Sequence, residues 1–351
     1  MFIAYIYDLS DTLIAQVDEI LDFETTKKIN DVSTASFALF HTNPYCTRAY
    51  LKEYRRVKIN MLVDSIEKTM FDGVIRGFEA NLVKTTIRCE SFEHYFDRRL
   101  LATDQSFVSQ SVNTIIQWLL TTINGAYNSG ITLDCGITTL TSKQYKRGES
   151  FLKVLKDLAE NGFEFTIIDK VLIFKNTIGI DRTTGDNFVE YRYDINEPDD
   201  RSIDNVKMTV DGKELANGVL WKADTAYTYT SDAPSIADFG LLEASFSTSW
   251  DDTATSQSYL DDHKVSLSEF DVDTNTNDFF QTDLGDLVSV YIYVGNDVMF
   301  FDGSMKVIEK SYTSGDLARI NFKLWVSVVK SKDIIEQIGD VQNRLKTLEM
   351  K

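Results

Sequence analysis

A pattern of strands and turn residues occurs twice in this chain, about 230 residues apart. Each copy has an alternating strand, a turn, a Phe-Asp-Gly step into a second strand that ends in a basic residue, and a third strand. The copies run through Val57–Val63, Met70–Arg76 and Thr85–Cys89, and through Val288–Val294, Phe300–Lys306 and Ala318–Phe322. Any two antiparallel β regions look somewhat alike, but here the triplet also falls at the same place. Duplication followed by insertion between the copies explains the pattern.

Glycine after aspartate permits a bend or bulge where a strand changes direction. We therefore expect the two triplets to mark turns of two related antiparallel β-barrels. The residues concerned are Phe71, Asp72, Gly73, Phe301, Asp302 and Gly303.

Residues 1–101 predict the first tube-like barrel. Its strand candidates are Phe2–Tyr7, Ile29–Phe40, Val57–Val63, Met70–Ala80 and Lys84–Ser91. Alternation is clearest in the third, where Val57, Ile59 and Met61 share one face.

Residues 102–190 predict a small α+β insert, because the hydrophobic period changes there from two to 3.6. Val112, Ile115, Ile116, Leu119, Leu120 and Ile123 form one helical stripe, with Ser109 or Ser111 as the cap. A second helix has its stripe at Phe151, Val154, Leu155, Leu158 and Ala159, and Asn161-Gly162 ends it. A hairpin of Phe163–Ile168 and Val171–Lys175, turning at Asp169-Lys170, completes the insert.

Residues 191–330 predict the second tube-like barrel, interrupted by an acidic, Ser/Thr/Asn-rich stretch at about 236–279. Residues 331–351 predict a C-terminal helix whose apolar positions follow a heptad seam of Ile334, Ile338, Val341, Leu345 and Leu348. Two heptads are too few for a stable coil alone. Either the helix joins a short parallel bundle on an oligomer axis, or it packs on its own domain.

The net charge of -18 weighs against non-specific nucleic-acid binding and against docking on anionic membranes. The N-terminus has no basic region before its short apolar run, and no run approaches the length of a membrane span. Cys46, Cys89 and Cys135 are isolated, which argues against a disulfide framework and predicts buried thiols. The pattern indicates synthesis in a reducing cytoplasm.

The search for catalytic chemistry yields no candidate, so we expect no enzyme activity, no cofactor and no metal. His41, His94 and His263 lie far apart, and no zinc-protease, nucleophile-elbow, phosphate-loop or CxxC motif occurs. His94 is interpreted as a structural histidine. Residues from Asp271 resemble the start of a calcium loop, but Thr276 and Thr282 stand where glycine and glutamate are required.

Three segments resemble the hub proteins of phage tails, a family shared by contractile baseplates and the structural part of siphophage tail-tip proteins. Phe151–Ile167 is similar to the helix-hairpin of the family's insert, and Leu284-Gly-Asp-Leu-Val288 to the start of its second barrel. Tyr7-Asp8 with Asn30–Leu39 is similar to the first barrel's beginning. The likeness is one of architecture and pattern, over nearly the whole chain.

The resemblance implies a homotrimeric ring at the distal end of the virion tail, in which two barrels from each of three chains match a hexameric tube. Such a hub adapts sixfold to threefold symmetry and lines the channel through which DNA passes, without binding it specifically. Its partners are the tail tube or distal tail ring above, and spike, fibre or receptor-binding proteins below. The alternatives are a carbohydrate- or receptor-binding β protein using Trp221, Tyr227, Tyr229 and Trp250, or a tail-tip cell-wall hydrolase.

Overall fold

The computed structural model describes residues 1–63, 65–126, 129–159, 162–211, 215–223, 226–248, 257, 260, 264, 267–274, 279–295, 300–314 and 319–325. The strands are β1 (Phe2–Tyr7), β2 (Leu13–Val17), β3 (Leu21–Lys28), β4 (Thr34–Phe40), β5 (Arg56–Val63), β6 (Ile66–Ala80), β7 (Lys84–Ser91), β8 (Gln105–Ser111), β9 (Thr132–Cys135), β10 (Leu140–Tyr145), β11 (Glu164–Ile168), β12 (Val171–Lys175), β13 (Glu190–Asp194), β14 (Ile203–Asp211), β15 (Gly218–Ala223), β16 (Ala226–Ser231), β17 (Glu243–Thr248), β18 (Leu267–Thr274), β19 (Leu287–Tyr293), β20 (Phe300–Thr313) and β21 (Arg319–Trp325). The helices are α1 (His94–Asp97), α2 (Val112–Ala126), α3 (Phe151–Ala159) and α4 (Ala233–Phe239).

The chain forms two compact units, each assembled from separate stretches of sequence. Unit 1 comprises Met1–Ile180, Thr274–Asp286 and Ile308–Phe322. Unit 2 comprises Asp181–Asp273, Leu287–Val307 and Lys323–Lys351.

The strands of unit 1 have the order β3-β4-β7-β6-β5-β1-β2 with antiparallel pairing, and Glu309–Thr313 of β20 pairs with β3. Alternate side chains of these strands, such as Ile6, Phe23 and Phe37, are fully buried. The ammonium of Lys310, also buried, donates to the carbonyl oxygens of Phe279 and Thr282.

The insert in unit 1 has the predicted helices, and its core is made by the predicted stripes of α2 and α3 packed on β11 and β12. The Ser111 hydroxyl accepts a hydrogen bond from the Thr114 amide (3.2 Å), so Ser111 is the cap of α2. Asn161, predicted with Gly162 to end α3, lies outside the described residues; Gly162 has a φ of +87°, and its amide donates to the carbonyl oxygen of Ala159, the last residue of α3. Asp169 and Lys170, both at positive φ, form the tight turn between β11 and β12. Helix stop and hairpin turn therefore form as the sequence predicts.

In unit 2, β13 runs parallel to β19, β19 is antiparallel to β20, and β14 is a neighbour of β18. A separate small sheet has the order β16-β15-β17. Helix α4 interrupts the predicted β region because Asp232 caps it through the Ser235 amide (3.0 Å), with Pro234 in the first turn.

Two corrections to the expected strands concern the first 40 residues. The strand predicted over Ile29–Phe40 begins only at Thr34, because Asn30 has a φ of +60° and residues 29–33 turn between β3 and β4. The strands β2 and β3 are absent from the sequence prediction. In β3 only Phe23 is a large buried side chain, and the buried partner on the same face is Thr25.

The two repeat copies have the same strand order. The first runs β3-β4-β7-β6-β5-β1, and the second runs β14-β18-β21-β20-β19-β13. The sheet of β15, β16 and β17 is inserted between β14 and β18, and β13 pairs parallel where β1 pairs antiparallel. The fold is mainly β, and the described strands contain no closed barrel. Within the same residues, no helix is long and apolar enough to cross a membrane.

Candidate assembly site

The Phe-Asp-Gly triplets lie within strands β6 and β20, and not in turns between strands. In the first copy Gly73 pairs with Val57, and Phe71 with Ile59. In the second copy Gly303 pairs with Val290, and Phe301 with Ile292. The same Val-x-Ile segment therefore lies opposite both triplets, two residues further along β19 than the sequence comparison placed it.

The phenylalanine ring covers the glycine two residues later in both copies. A Cβ added to Gly73 would lie 2.8 Å from the Phe71 ring, and one added to Gly303 would lie 3.2 Å from the Phe301 ring. Residues i and i+2 share one face of a strand, so the ring fills the space left by the missing side chain. The bulge expected at the triplet lies beside it, where the β5–β6 register shifts between Ile59 and Asn60.

The aspartates of the two triplets have different surroundings. Asp72 forms a bidentate ion pair with Arg56 (2.9 and 2.6 Å), while Asp302 is exposed. Burial raises the pKa of the Asp72 carboxyl although Arg56 opposes that shift. This partly buried pair is specific to the first copy.

The ion pair of Asp72 belongs to a cluster that reaches the hairpin of the insert. Arg56 also lies 3.6 Å from Asp169, in the turn between β11 and β12, and Lys58 contacts the same carboxylate at 2.9 Å. Lys170 pairs with Asp11. These contacts join the first β region to the insert within unit 1.

The outer edge of β11 is covered by two side chains from the first β region. Asn30 accepts a hydrogen bond from the Phe165 amide through its side chain (2.7 Å) and donates its own amide to the Phe165 carbonyl (3.0 Å). Glu93 accepts from the Ile167 amide (2.6 Å). Asp31 pairs with Lys156 of α3 at 2.7 Å. The Asn30-Asp31 segment, quoted above for its family likeness, therefore fixes the insert.

Glu93 is a buried carboxyl whose second oxygen has no hydrogen-bond partner among the described residues. Burial raises its pKa to about 7. The next residue, His94, has its Nδ1 2.7 Å from Glu90, and burial lowers its pKa. His94 is thus a buried histidine with one ring nitrogen bonded and Nε2 unpaired in the described part of the chain.

Gly285 and Asp286 hold two chain segments of unit 1 together, residues 178–180 and residues 283–286. A Cβ on Gly285 would lie 2.3 Å from the Ile178 carbonyl oxygen, and one on Gly179 would lie 2.2 Å from the Gly285 backbone. Both glycines have positive φ, which only glycine adopts easily. The buried Asp286 carboxylate accepts from the amides of Ile180 and Asp283, each at 2.8 Å. The Gly-Asp pair is therefore required by close backbone packing.

Among the described residues, the remaining candidates lie in separate parts of the fold. His41 is exposed, and His263 lies outside the described residues. Asp271 and Asp273 are in β18, and no group of metal-binding side chains occurs in the described ranges. Tyr229 is exposed on β16, while Trp250 and the seam from Ile334 to Leu348 lie outside the described residues. Cys89 is buried, but Cys46 and Cys135 are only half-buried, contrary to expectation; all three are free.

The fold of two β regions around a helix-hairpin insert is shared, over most of the chain, with several solved tail proteins. The structure is similar to prophage tail protein gp18 of Listeria monocytogenes (TM-score 0.62, 13% identity, 97% of this chain and 99% of that one). It is also similar to a tail protein of Neisseria meningitidis (TM-score 0.67, 10% identity, 93% and 97% covered). No family model and no curated protein matches the sequence.

A third similar structure is an Escherichia coli component of the type VI secretion system, described as structurally similar to the T4 phage tail proteins gp27 and gp5. Its TM-score is 0.53 at 10% identity, over 88% of this chain and 74% of that one. The resemblance to tail proteins inferred from sequence is confirmed at the level of the fold.

Proposed function

We propose that this protein is a structural component of a phage tail, the hub at its distal end. The observation that carries the proposal is the shared strand order of the two repeat copies, within a fold common to tail proteins over nearly the whole chain. A duplicated β unit allows a ring of chains to match two different rotational symmetries. Three copies with two equivalent halves present six similar surfaces to a hexameric tube and threefold symmetry on the other side.

In this proposal residues 1–101 and 191–330 form the two tube-like barrels, residues 102–190 the insert, and residues 331–351 the helix. Self-association of three such helices along the seam from Ile334 to Leu348 would help to set the copy number. The ring would contact the tail tube or distal ring above, and a spike, fibre or receptor-binding protein below.

The acidic balance of the chain supports a passive channel. A net charge of -18 repels phosphates, so DNA passes a lumen of this charge without adhering to it. The protein would act without catalysis, cofactor or specific nucleic-acid contact.

Cryo-electron microscopy of tail particles that carry a tagged copy of the chain tests the proposal. We expect one ring of three copies at the distal end, with both repeat copies of each chain beside the channel. Label along the tube, a ring of six, or repeat copies that do not superpose would contradict it.

Exposed side chains on the small sheet support a second candidate, a carbohydrate- or receptor-binding surface. Tyr229 and Leu220 pair across β16 and β15, and both are exposed, as is Leu241. Glycan-array binding that is lost in Tyr229→Ala would favour this function. Equal signals from the variant and the native chain would remove it.

A further inference from the structure

The insert contains a long run without charge. Charged residues make up 26% of the chain, yet Gln105 to Leu133 contains no Asp, Glu, Lys, Arg or His, and Asp134 is alone before Lys143. Exposed surfaces ordinarily carry charged side chains. The run includes exposed parts of β8 and α2, so burial in unit 1 does not account for it.

Helix α2 turns an uncharged stripe outward. Thr114, Gln117 and Thr121, spaced three and four residues apart, are exposed on one side of the helix. The Thr121 and Thr122 hydroxyls donate to the carbonyl oxygens of Gln117 and Trp118, each at 2.8 Å. Because these hydroxyls already have partners inside the helix, covering the stripe removes few hydrogen bonds to water.

An aromatic side chain lies within this stripe. Trp118 is half-buried, and its ring meets Phe107 of β8 edge-on at 5.5 Å. The Trp118 ring also lies 5.9 Å from the ring of Phe151, in a tilted arrangement. A partly exposed tryptophan fixed by two rings, with uncharged residues around it, is typical of the centre of a protein interface.

The uncharged surface continues past the start of α2. The Val112 amide donates to the Thr139 carbonyl (3.0 Å), and Leu140 pairs with Ser111, the cap of the helix. Thr139 and Leu140 are both exposed, Leu140 by 65%. We call this surface the neutral face, comprising Thr114, Gln117, Trp118, Thr121, Thr139 and Leu140.

We infer that the neutral face is where a second copy of this chain docks. Every copy carries a net charge of -18, so the repulsion between two copies is smallest where the surfaces that meet carry little charge of their own. A basic partner or a nucleic acid would instead select an acidic or a basic surface. The inference rests on the proposed ring and deepens it, because it names the surface through which neighbouring copies meet.

Site-specific photo-crosslinking of the purified full-length chain tests the contact. A benzophenone amino acid at Gln117 should give covalent dimers of the chain. The same group at Thr42, an exposed position in a turn of unit 1, should give few. A chain that stays monomeric at tens of micromolar without dimer crosslinks, or that crosslinks from Gln117 only to another tail protein, overturns the inference.

Paired substitutions provide the quantitative test. Gln117→Glu/Thr121→Glu should weaken self-association at least tenfold by mass photometry, while Thr42→Glu leaves it unchanged. Glutamate is a good helix former, so circular dichroism should show both variants folded. Equal self-association of the double variant and the native chain would refute the inference. If tail particles of the double variant still contain the ring, the proposed hub stands and only this contact is refuted. If native tails lack the chain, the proposed hub is refuted, and the crosslinking of the purified chain still tests the contact.

Discussion

Gly73 and Gly303 occupy equivalent positions in the two repeat copies, but their surroundings differ in one respect. Beside Gly73 lies the backbone of the next strand, with the Glu90 carbonyl oxygen 2.3 Å from where a Cβ would stand. Beside Gly303 the nearest atoms belong to the Phe301 ring, which is able to move. Gly73 is required by the pairing of β6 with β7. Gly303 is required only by the position of the Phe301 ring.

Substituting alanine should separate the two glycines. We expect Gly73→Ala to lower the free energy of unfolding by about 3 kcal/mol, because backbone must shift, and Gly303→Ala by about 1 kcal/mol or less. Gly77→Ala is the matched control, since its Cβ would meet no atom within 4 Å. Urea denaturation measures all three, and equal losses at Gly73 and Gly303 would contradict the difference in packing.

Glu93 predicts a pH dependence of stability. Its pKa is about 7 in the folded chain against an ordinary value of 4.5. Between these values the unfolded chain loses the proton while the folded chain keeps it, so stability falls as pH rises from about 4.5 to 7. Above pH 7 the loss is complete, at roughly 3 kcal/mol.

Glu93→Gln keeps an oxygen for the Ile167 amide and removes the titration. The variant should match the native chain near pH 4 and exceed its stability at pH 8, measured by urea denaturation at each pH. Glu79→Gln, on an exposed side chain, serves as control and should track the native chain throughout. A constant difference between Glu93→Gln and the native chain would show that Glu93 does not titrate in this range.

At the scale of elements, local signals determine which segments the sequence predicts correctly. β1 and β7 have the predicted bounds, and the stripes of α2 and α3 are buried as expected. The sequence Leu21–Lys28 is mostly polar and charged, so β3 gives almost no hydrophobic alternation. It forms through pairing with β4 and with Glu309–Thr313, segments that no local pattern connects.

The contacts between the first β region and the insert were equally inaccessible to sequence analysis. Arg56, Asp72 and Asp169 are separated by many residues and meet only after the sheet and the hairpin have formed. The neutral face had a signal, the charge-free run from Gln105, but composition averaged over the chain conceals it.

The ion pair between β5 and β6 should be costly to break from one side. Arg56→Met leaves the Asp72 carboxylate, of which 10% is exposed, without its bidentate partner and should cost about 3 kcal/mol at pH 7. Adding Asp72→Asn should recover part of that loss. Arg48→Met, which breaks an exposed pair with Glu53, should cost well under 1 kcal/mol. Urea denaturation of the native chain, Arg56→Met, Asp72→Asn and the double variant gives the coupling energy, and additive losses would mean that Arg56 and Asp72 do not interact.

At the scale of the whole molecule, the repeat is the sequence feature that predicts most of the architecture. It predicted two related β regions around an insert, and the strand orders agree. The offset of two residues in β19 arises because more residues separate Ile59 from its partner Phe71 than separate Ile292 from Phe301, and because the β5–β6 pairing contains a bulge. The parallel pairing of β13 has no signal in the sequence, since strand direction follows from the preceding connection.

The charge of the chain predicts how assembly responds to salt. Copies with a net charge of -18 repel over distances that ions screen, so self-association should tighten several-fold between about 20 and about 300 mM NaCl. Mass photometry across that range measures the change. Weaker association at high salt would indicate that attraction between opposite charges holds the copies together.

The sheet of β15, β16 and β17 occupies a connection that is only a short turn in the first copy, where residues 29–33 join β3 to β4. The two repeat copies therefore differ in what that connection carries. The strand order is the same in both copies although the second has a whole sheet between β14 and β18. The connection between these two strands therefore tolerates a large insertion. Replacing residues 212–266 with a short turn, or with a foreign binding module, would alter what the protein displays and preserve the duplicated framework.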